Sequence, residues 1–142
     1  MHTRAGVAMS CMEEGLLPLN QISRRFFNRV THHDFGGIAL DLAERERIIA
    51  DPGSCPVMVP RNHGLIVPER SAAEMYNNMF HLGGACEIQI TALSTQCPLR
   101  RIGGGEHVVA QYAQMSFDDG DLMLEWEVHL RSNAGRDRDY RL

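Results

Sequence analysis

A mixed α/β domain built in layers is the fold class this sequence predicts, on three observations. Short β-favouring runs at residues 25–31, 57–59 and 65–67 interleave with segments of helical character. A capping-box pattern, Ser71-Ala72-Ala73-Glu74, opens a long apolar stripe of Met75, Met79, Leu82, Cys86, Ile90 and Leu93, whose steps of three and four residues match one helical face. The 142 residues, 44% of them hydrophobic, are enough to bury one core without disulfide staples, so residues 1–142 read as a single domain.

The elements follow in order. Residues 5–14 favour helix, with Val7, Ala8, Cys11 and Met12 sharing a face and Gly15 placed as a stop. Pro18 breaks the chain, and residues 25–31 carry enough aromatic and β-branched character for a strand ending at His32-His33-Asp34, with Phe35-Gly36-Gly37 as the turn. Residues 39–50 favour helix, with Leu40, Ile48 and Ile49 apolar and Glu44, Arg45, Glu46 and Arg47 on the exposed side, closed by Pro52-Gly53. Two short strands then flank Pro60 to Gly64. These apolar runs are too short for a large parallel sheet.

The long helix after Ser71 contains Gly83-Gly84, which lowers helix propensity and predicts close packing against another helix or backbone. Residues 97–105 read as a loop. Its Gly103-Gly104-Gly105 run is no phosphate cradle, because neither a Lys-Ser or Lys-Thr pair nor a preceding strand accompanies it. Residues 108–115 and 122–130 are helical candidates, the second carrying Trp126, and the sign-alternating run at 131–141 reads as a solvated tail.

A net charge of -4 without clustered Lys and Arg excludes the usual nucleic-acid binder. No apolar run is long enough to cross a bilayer, and the amino terminus lacks the pattern of a secretory signal, so the cytoplasm is the expected address. Cys11, Cys55, Cys86 and Cys97 form no CxxC pair and are expected to be reduced and structural.

The stretch from Pro60 to Val67 sets His63 and Gly64 in a break between two apolar runs, near strand ends. Two readings of His63 are open at this point. It is a turn histidine bonded to a nearby carbonyl, or one ligand of a divalent metal site that needs two more donors from elsewhere.

Taken together, His2-Thr3-Arg4-Ala5-Gly6-Val7, Glu14-Gly15-Leu16-Leu17-Pro18, His33-Asp34-Phe35-Gly36-Gly37-Ile38-Ala39, Arg61-Asn62-His63-Gly64-Leu65 and Ala85-Cys86-Glu87-Ile88-Gln89 resemble the class II aldolase and adducin family. The order and spacing of these motifs cover about two-thirds of the chain. The resemblance implies an α/β/α sandwich of the class II aldolase type, lacking its N-terminal strands and helices. It also implies a divalent metal, most often zinc, held by a His-x-His pair and by a later histidine. Residue by residue, His63 matches that later ligand and His2 the second histidine of the pair, while Met1 falls on the spacer. The chain thus resembles the carboxyl-terminal half to two-thirds of a family domain, without the family's upstream glutamate and substrate-phosphate loops.

The activity so implied is metal-dependent aldol cleavage of a small hydroxy-carbonyl or sugar-phosphate substrate. The alternative is a non-catalytic adducin-like module that contacts cytoskeletal or other protein partners. Self-association into a homo-oligomer is implied as well, and the missing upstream strands predict poor solubility of the chain alone. No catalytic residue is assigned. His32 and His33 are either ordinary loop histidines or proton donors near neutral pH.

Overall fold

The computed structural model describes residues 1–34, 36, 42–50, 55–103, 105 and 119–135. Helix α1 spans Arg4–Ser10, α2 Gln21–Arg24, strand β1 Val30–His33, helix α3 Leu42–Ala50 and strand β2 Val57–Pro60. Helices α4, Ala72–Ser94, and α5, Asp119–Ala134, follow. The strands β1 and β2 pair in parallel, with Val30 opposite Val57 and His33 opposite Pro60, and α3 lies between them in the chain. Parallel neighbours require such a crossover. Small as it is, this sheet is parallel, and the run at 65–67 joins it only through an antiparallel bridge between Met58 and Ile66.

Every residue of β2 is buried, as expected of a strand covered on both faces. Val57 and Val59 pack with Met9 of α1, Phe26, Leu65, Val67, and Leu82 and Cys86 of α4, forming one core. Burial pushes the Cys86 thiol up to about 12, so it stays protonated and serves as packing. Cys11 and Cys97 are instead exposed, and the structural role expected of them fails there.

Three sequence expectations are corrected. Helix α1 stops at Ser10 rather than reaching Glu14, because the chain turns down to Gly15 at φ 63° and Arg61 Nη1 captures the carbonyls of Met12 (2.7 Å) and Glu13 (3.1 Å). The strand expected at 25–31 starts only at Val30. Asn20 and Ser23 form a reciprocal cap on α2, and residues 25–28 follow it as turns. The strand ends at His33, where its end was expected, so His32 and His33 are strand residues and not loop histidines.

The long helix begins at the expected cap, with Ser71 Oγ accepting from Glu74 N–H and the Glu74 carboxylate accepting from Ser71 N–H. Its inward face is Ala73, Asn77, Leu82, Ala85, Cys86 and Gln89, while Met75 and Leu93 of the expected stripe are exposed. Two polar residues take inward positions because each has a partner there. Gln89 Oε1 accepts from Leu17 N–H, and Asn77 Nδ2 donates to Glu125 on α5. A Cβ at Gly83 or Gly84 would meet nothing within 4 Å, so these glycines mark no close approach. Ser71→Ala is expected to cost about 1 kcal/mol, read as a lower urea midpoint at unchanged slope.

The segment 122–130 lies within α5, and its Trp126 ring meets Tyr76 of α4 edge-on at 5.6 Å. The helix expected at 108–115 and the tail beyond residue 135 lie outside the described residues.

Candidate functional site

His2 and His63 are 61 positions apart in the sequence, yet their rings stack with centroids 4.8 Å apart and planes within 22°. Backbone contacts bring them together. The Met1 amino group donates to the Leu65 carbonyl (2.7 Å), and Leu65 N–H donates back to the Met1 carbonyl (3.1 Å). Thr3 then caps α1 by accepting from Gly6 N–H, which fixes the residue before it at the helix entrance.

On the other side, the Pro60 carbonyl accepts from His63 N–H at 3.2 Å, and Asn62, at φ 57°, turns the chain. Asn62 N–H donates to Ser10 at the end of α1, and Arg61 N–H to the His33 carbonyl. The turn is thereby tied to both α1 and β1. Gly64 has φ 151°, and a Cβ there would stand 2.5 Å from the Met1 carbonyl oxygen. Only glycine lets the two segments meet this closely.

Next to the stacked rings is a cavity of about 180 Å³. His2 and His63 border it, Ile48 and Ile66 give it apolar wall, and His33 with Glu44 forms a polar wall. His33 Nε2 lies 2.7 Å from Glu44 Oε1, and both side chains are only 7% exposed. Glu44 also accepts from Arg47, and Gly36 leaves space for its carboxylate, since a Cβ at Gly36 would stand 2.7 Å from Oε1. Hydrogen bonds from His33 first, and from Arg47 second, hold the Glu44 carboxyl below the usual carboxylate value. Glu44 was expected on the exposed side of its helix and is instead buried. The signal for its partner was the arginine three residues on, at helical i,i+3 spacing.

Because the carboxyl is held low, its stabilising effect is present above the ordinary carboxylate range near about pH 4 and is lost as pH falls through the folded-state value. Glu44→Gln should therefore be least stable relative to wild type at neutral pH, with the gap closing in acid. Chemical denaturation of both proteins across the acid range reads this directly.

His32 meets a different fate. Its Nε2 is buried without a hydrogen-bond partner among the described residues, and it sits where a Cβ on Gly15 would be, 2.6 Å away. Burial first, then Arg61, lowers its affinity for a proton. It reads as a neutral packing residue.

Two imidazoles are a chemically suitable start for a borderline divalent metal, but an open catalytic zinc retains three protein donors. The described residues contain no group of three or more His, Cys, Asp or Glu side chains arranged to hold an ion. The Met1 amino group is already donating to Leu65. As far as the described residues go, the set fits two positions of a metal site and not a third.

Residues 1–90 match the family described as Class II Aldolase and Adducin N-terminal domain. The chain belongs to the class II aldolase and adducin family. A Pseudomonas aeruginosa protein provisionally named an aldolase class 2 protein is 40% identical over 145 aligned positions, covering 99% of this chain and 56% of its own length. A crystal structure of an aldolase II superfamily protein from Pseudomonas syringae superposes with a TM-score of 0.88 at 37% identity, again over 99% of this chain and 56% of that one. This chain thus spans little more than half the length of both family members. An L-fuculose 1-phosphate aldolase from Glaciozyma antarctica PI12 shares the fold at a TM-score of 0.69 and 18% identity, over 93% of this chain and 51% of its own. Among the described residues of this family member, no helix is long and apolar enough to cross a membrane.

Proposed function

We propose that this class II aldolase family chain takes part in metal-dependent aldol cleavage of a small hydroxy-carbonyl substrate, with His2 and His63 as two of the metal's donors. The observation that carries the reading is the stacking of these two distant imidazoles beside a cavity with a buried His–Glu wall. Zinc is the metal that suits a nitrogen-rich set. When bound, such a metal acts as a Lewis acid toward the oxygens of the hydroxy-carbonyl group.

The chain's own residues do the positioning. The Met1–Leu65 backbone pair and the Thr3 cap hold His2, the Pro60 to Gly64 turn holds His63, and Ile48 and Ile66 keep one side of the cavity apolar. The reading requires a third donor besides His2 and His63. The layered α/β/α sandwich, and assembly into a homo-oligomer that completes the site, belong to the same proposal.

Zinc titration by calorimetry tests it. Wild type should bind zinc saturably, and His63→Ala should weaken binding by about tenfold or more. Absence of saturable zinc binding, or equal binding by the variant, would sink the metal-site reading. The two-donor set supports one second reading, a non-catalytic adducin-like module for protein partners such as cytoskeletal ones. That reading expects partner binding to survive both His63→Ala and chelators.

A further inference from the structure

Arg24, the last residue of α2, is the largest of the fully buried side chains, with 1% of its surface exposed. A guanidinium keeps its proton in proteins, so burial cannot neutralise it as it does a carboxyl or an imidazole. Its Cζ lies 3.9 Å from the centroid of the Phe27 ring, and Nη2 donates to the Gly103 carbonyl across a long 3.4 Å. Nε and Nη1 are buried and find no acceptor among the described residues, and no described Asp or Glu pairs with this charge. The ring compensates one face of the guanidinium and leaves its N–H edge unmatched. Buried charges without a partner are costly, and folded proteins supply them with one.

The orphaned edge lies close to the surface. Residues 97–103 have no helix or strand and are tied down beside α2 by Ile102 N–H, which donates to the Pro18 carbonyl at 2.8 Å. Gly103, whose carbonyl Arg24 reaches, is exposed, and a Cβ there would meet nothing within 4 Å. Open space therefore adjoins the one acceptor the guanidinium has found, and a bond of that length yields easily to a better acceptor. Exposed Arg100 and Arg101 stand on the same stretch, the second paired with Glu14, so the approach favours anions. One turn before Arg24, the side-chain amide of Asn20 also leaves Nδ2 buried and unpartnered among the described residues, its Oδ1 being taken up in capping α2.

We infer that Arg24 is the anchor of an oxyanion site: a phosphate or carboxylate group enters beside Gly103, replaces the Gly103 carbonyl on the guanidinium and accepts from its unmatched edge. The planar fork of arginine suits such groups because it offers parallel N–H donors to paired oxygens. The site goes beyond the aldol-cleavage reading and does not rest on it. Neither Arg24, Phe27 nor Gly103 borders the cavity beside the histidine stack.

Inorganic phosphate and acetate are the probes, titrated at fixed ionic strength into the full 142-residue chain. The side-chain Nε–H signal of Arg24, assigned by its absence from Arg24→Lys, is followed by NMR. A saturable shift is expected, and the anion that binds more tightly identifies the group the site takes. Arg24→Lys keeps the charge but loses the fork, so calorimetry should show binding weakened about tenfold or more. Urea unfolding supplies a second readout. In buffer free of oxyanions, Arg24→Met should be at least as stable as wild type, because it removes an unpaired buried charge and keeps a contact with the Phe27 ring. With the tighter anion at saturation the order should reverse, since only wild type gains from binding.

No saturable shift with either anion overturns the inference, as does equal binding by Arg24→Lys and wild type. An equal gain in stability for wild type and Arg24→Met also overturns it, because that gain is a general salt effect. A wild type more stable than Arg24→Met in oxyanion-free buffer overturns it too, by showing that the charge already has its partner within the chain.

Discussion

Gly64→Ala is expected to separate His2 from His63 and to destabilise the chain more than any exposed substitution. The left-handed extended backbone at φ 151° is almost reserved for glycine, and forcing an alanine into it costs about 1–3 kcal/mol by itself. The added Cβ would also stand 2.5 Å from the Met1 carbonyl oxygen and 3.5 Å from His2 Cδ2. One of the two must give way. Movement of Met1 breaks its two hydrogen bonds to Leu65 and carries His2 off the stack. The expected result is a lower thermal midpoint together with loss of the NMR cross-peaks between the two rings. A variant with the wild-type midpoint and an intact stack would contradict the close approach described for Gly64.

Gln89→Leu is expected to cost about 2–4 kcal/mol, although leucine matches glutamine in size. Gln89 is 1% exposed, and its amide serves two backbone groups of one turn, accepting from Leu17 N–H at 2.7 Å and donating to Gly15 O at 2.9 Å. Leucine leaves both groups buried and unpaired, each at a cost of about 1–3 kcal/mol. The same turn holds Gly15 against His32, so disorder there loosens the support under β1. Urea unfolding monitored by tryptophan fluorescence gives the magnitude. A loss below about 0.5 kcal/mol would mean that the turn finds other partners.

The family was legible in sequence because the motifs around His2 and His63 are contiguous words at fixed spacing. The cap at Ser71 and Glu74 was legible for a similar reason, since a capping box is a local pattern whose partners lie three residues apart. Helix α2 was not, because its four residues leave no periodicity and its only signal is Asn20 followed three positions later by Ser23. The burial of Glu44 was hidden as well. In a run of Glu44, Arg45, Glu46 and Arg47, no local rule says which charge turns inward, and the answer depends on His33, eleven residues away, meeting α3 at the cavity wall. Asn77 and Gln89 displaced Met75 and Leu93 from the inner face of α4 for the same kind of reason, through partners contributed by other segments.

The parallel ladder of β1 on β2 is four residues long, and its alignment decides which of two neighbouring histidines serves the cavity. Successive side chains on a strand point to opposite faces, so a slip of one position would deliver His32 to the polar wall, carry His33 one place beyond it to the opposite face, and bring Thr31 against Gly15. The imidazole at the wall would then come from the wrong residue without any change in composition. Drift in the length of the segment between Phe26 and Val30 is therefore more dangerous to this site than most substitutions within it, because a single inserted residue puts His32 where His33 now stands.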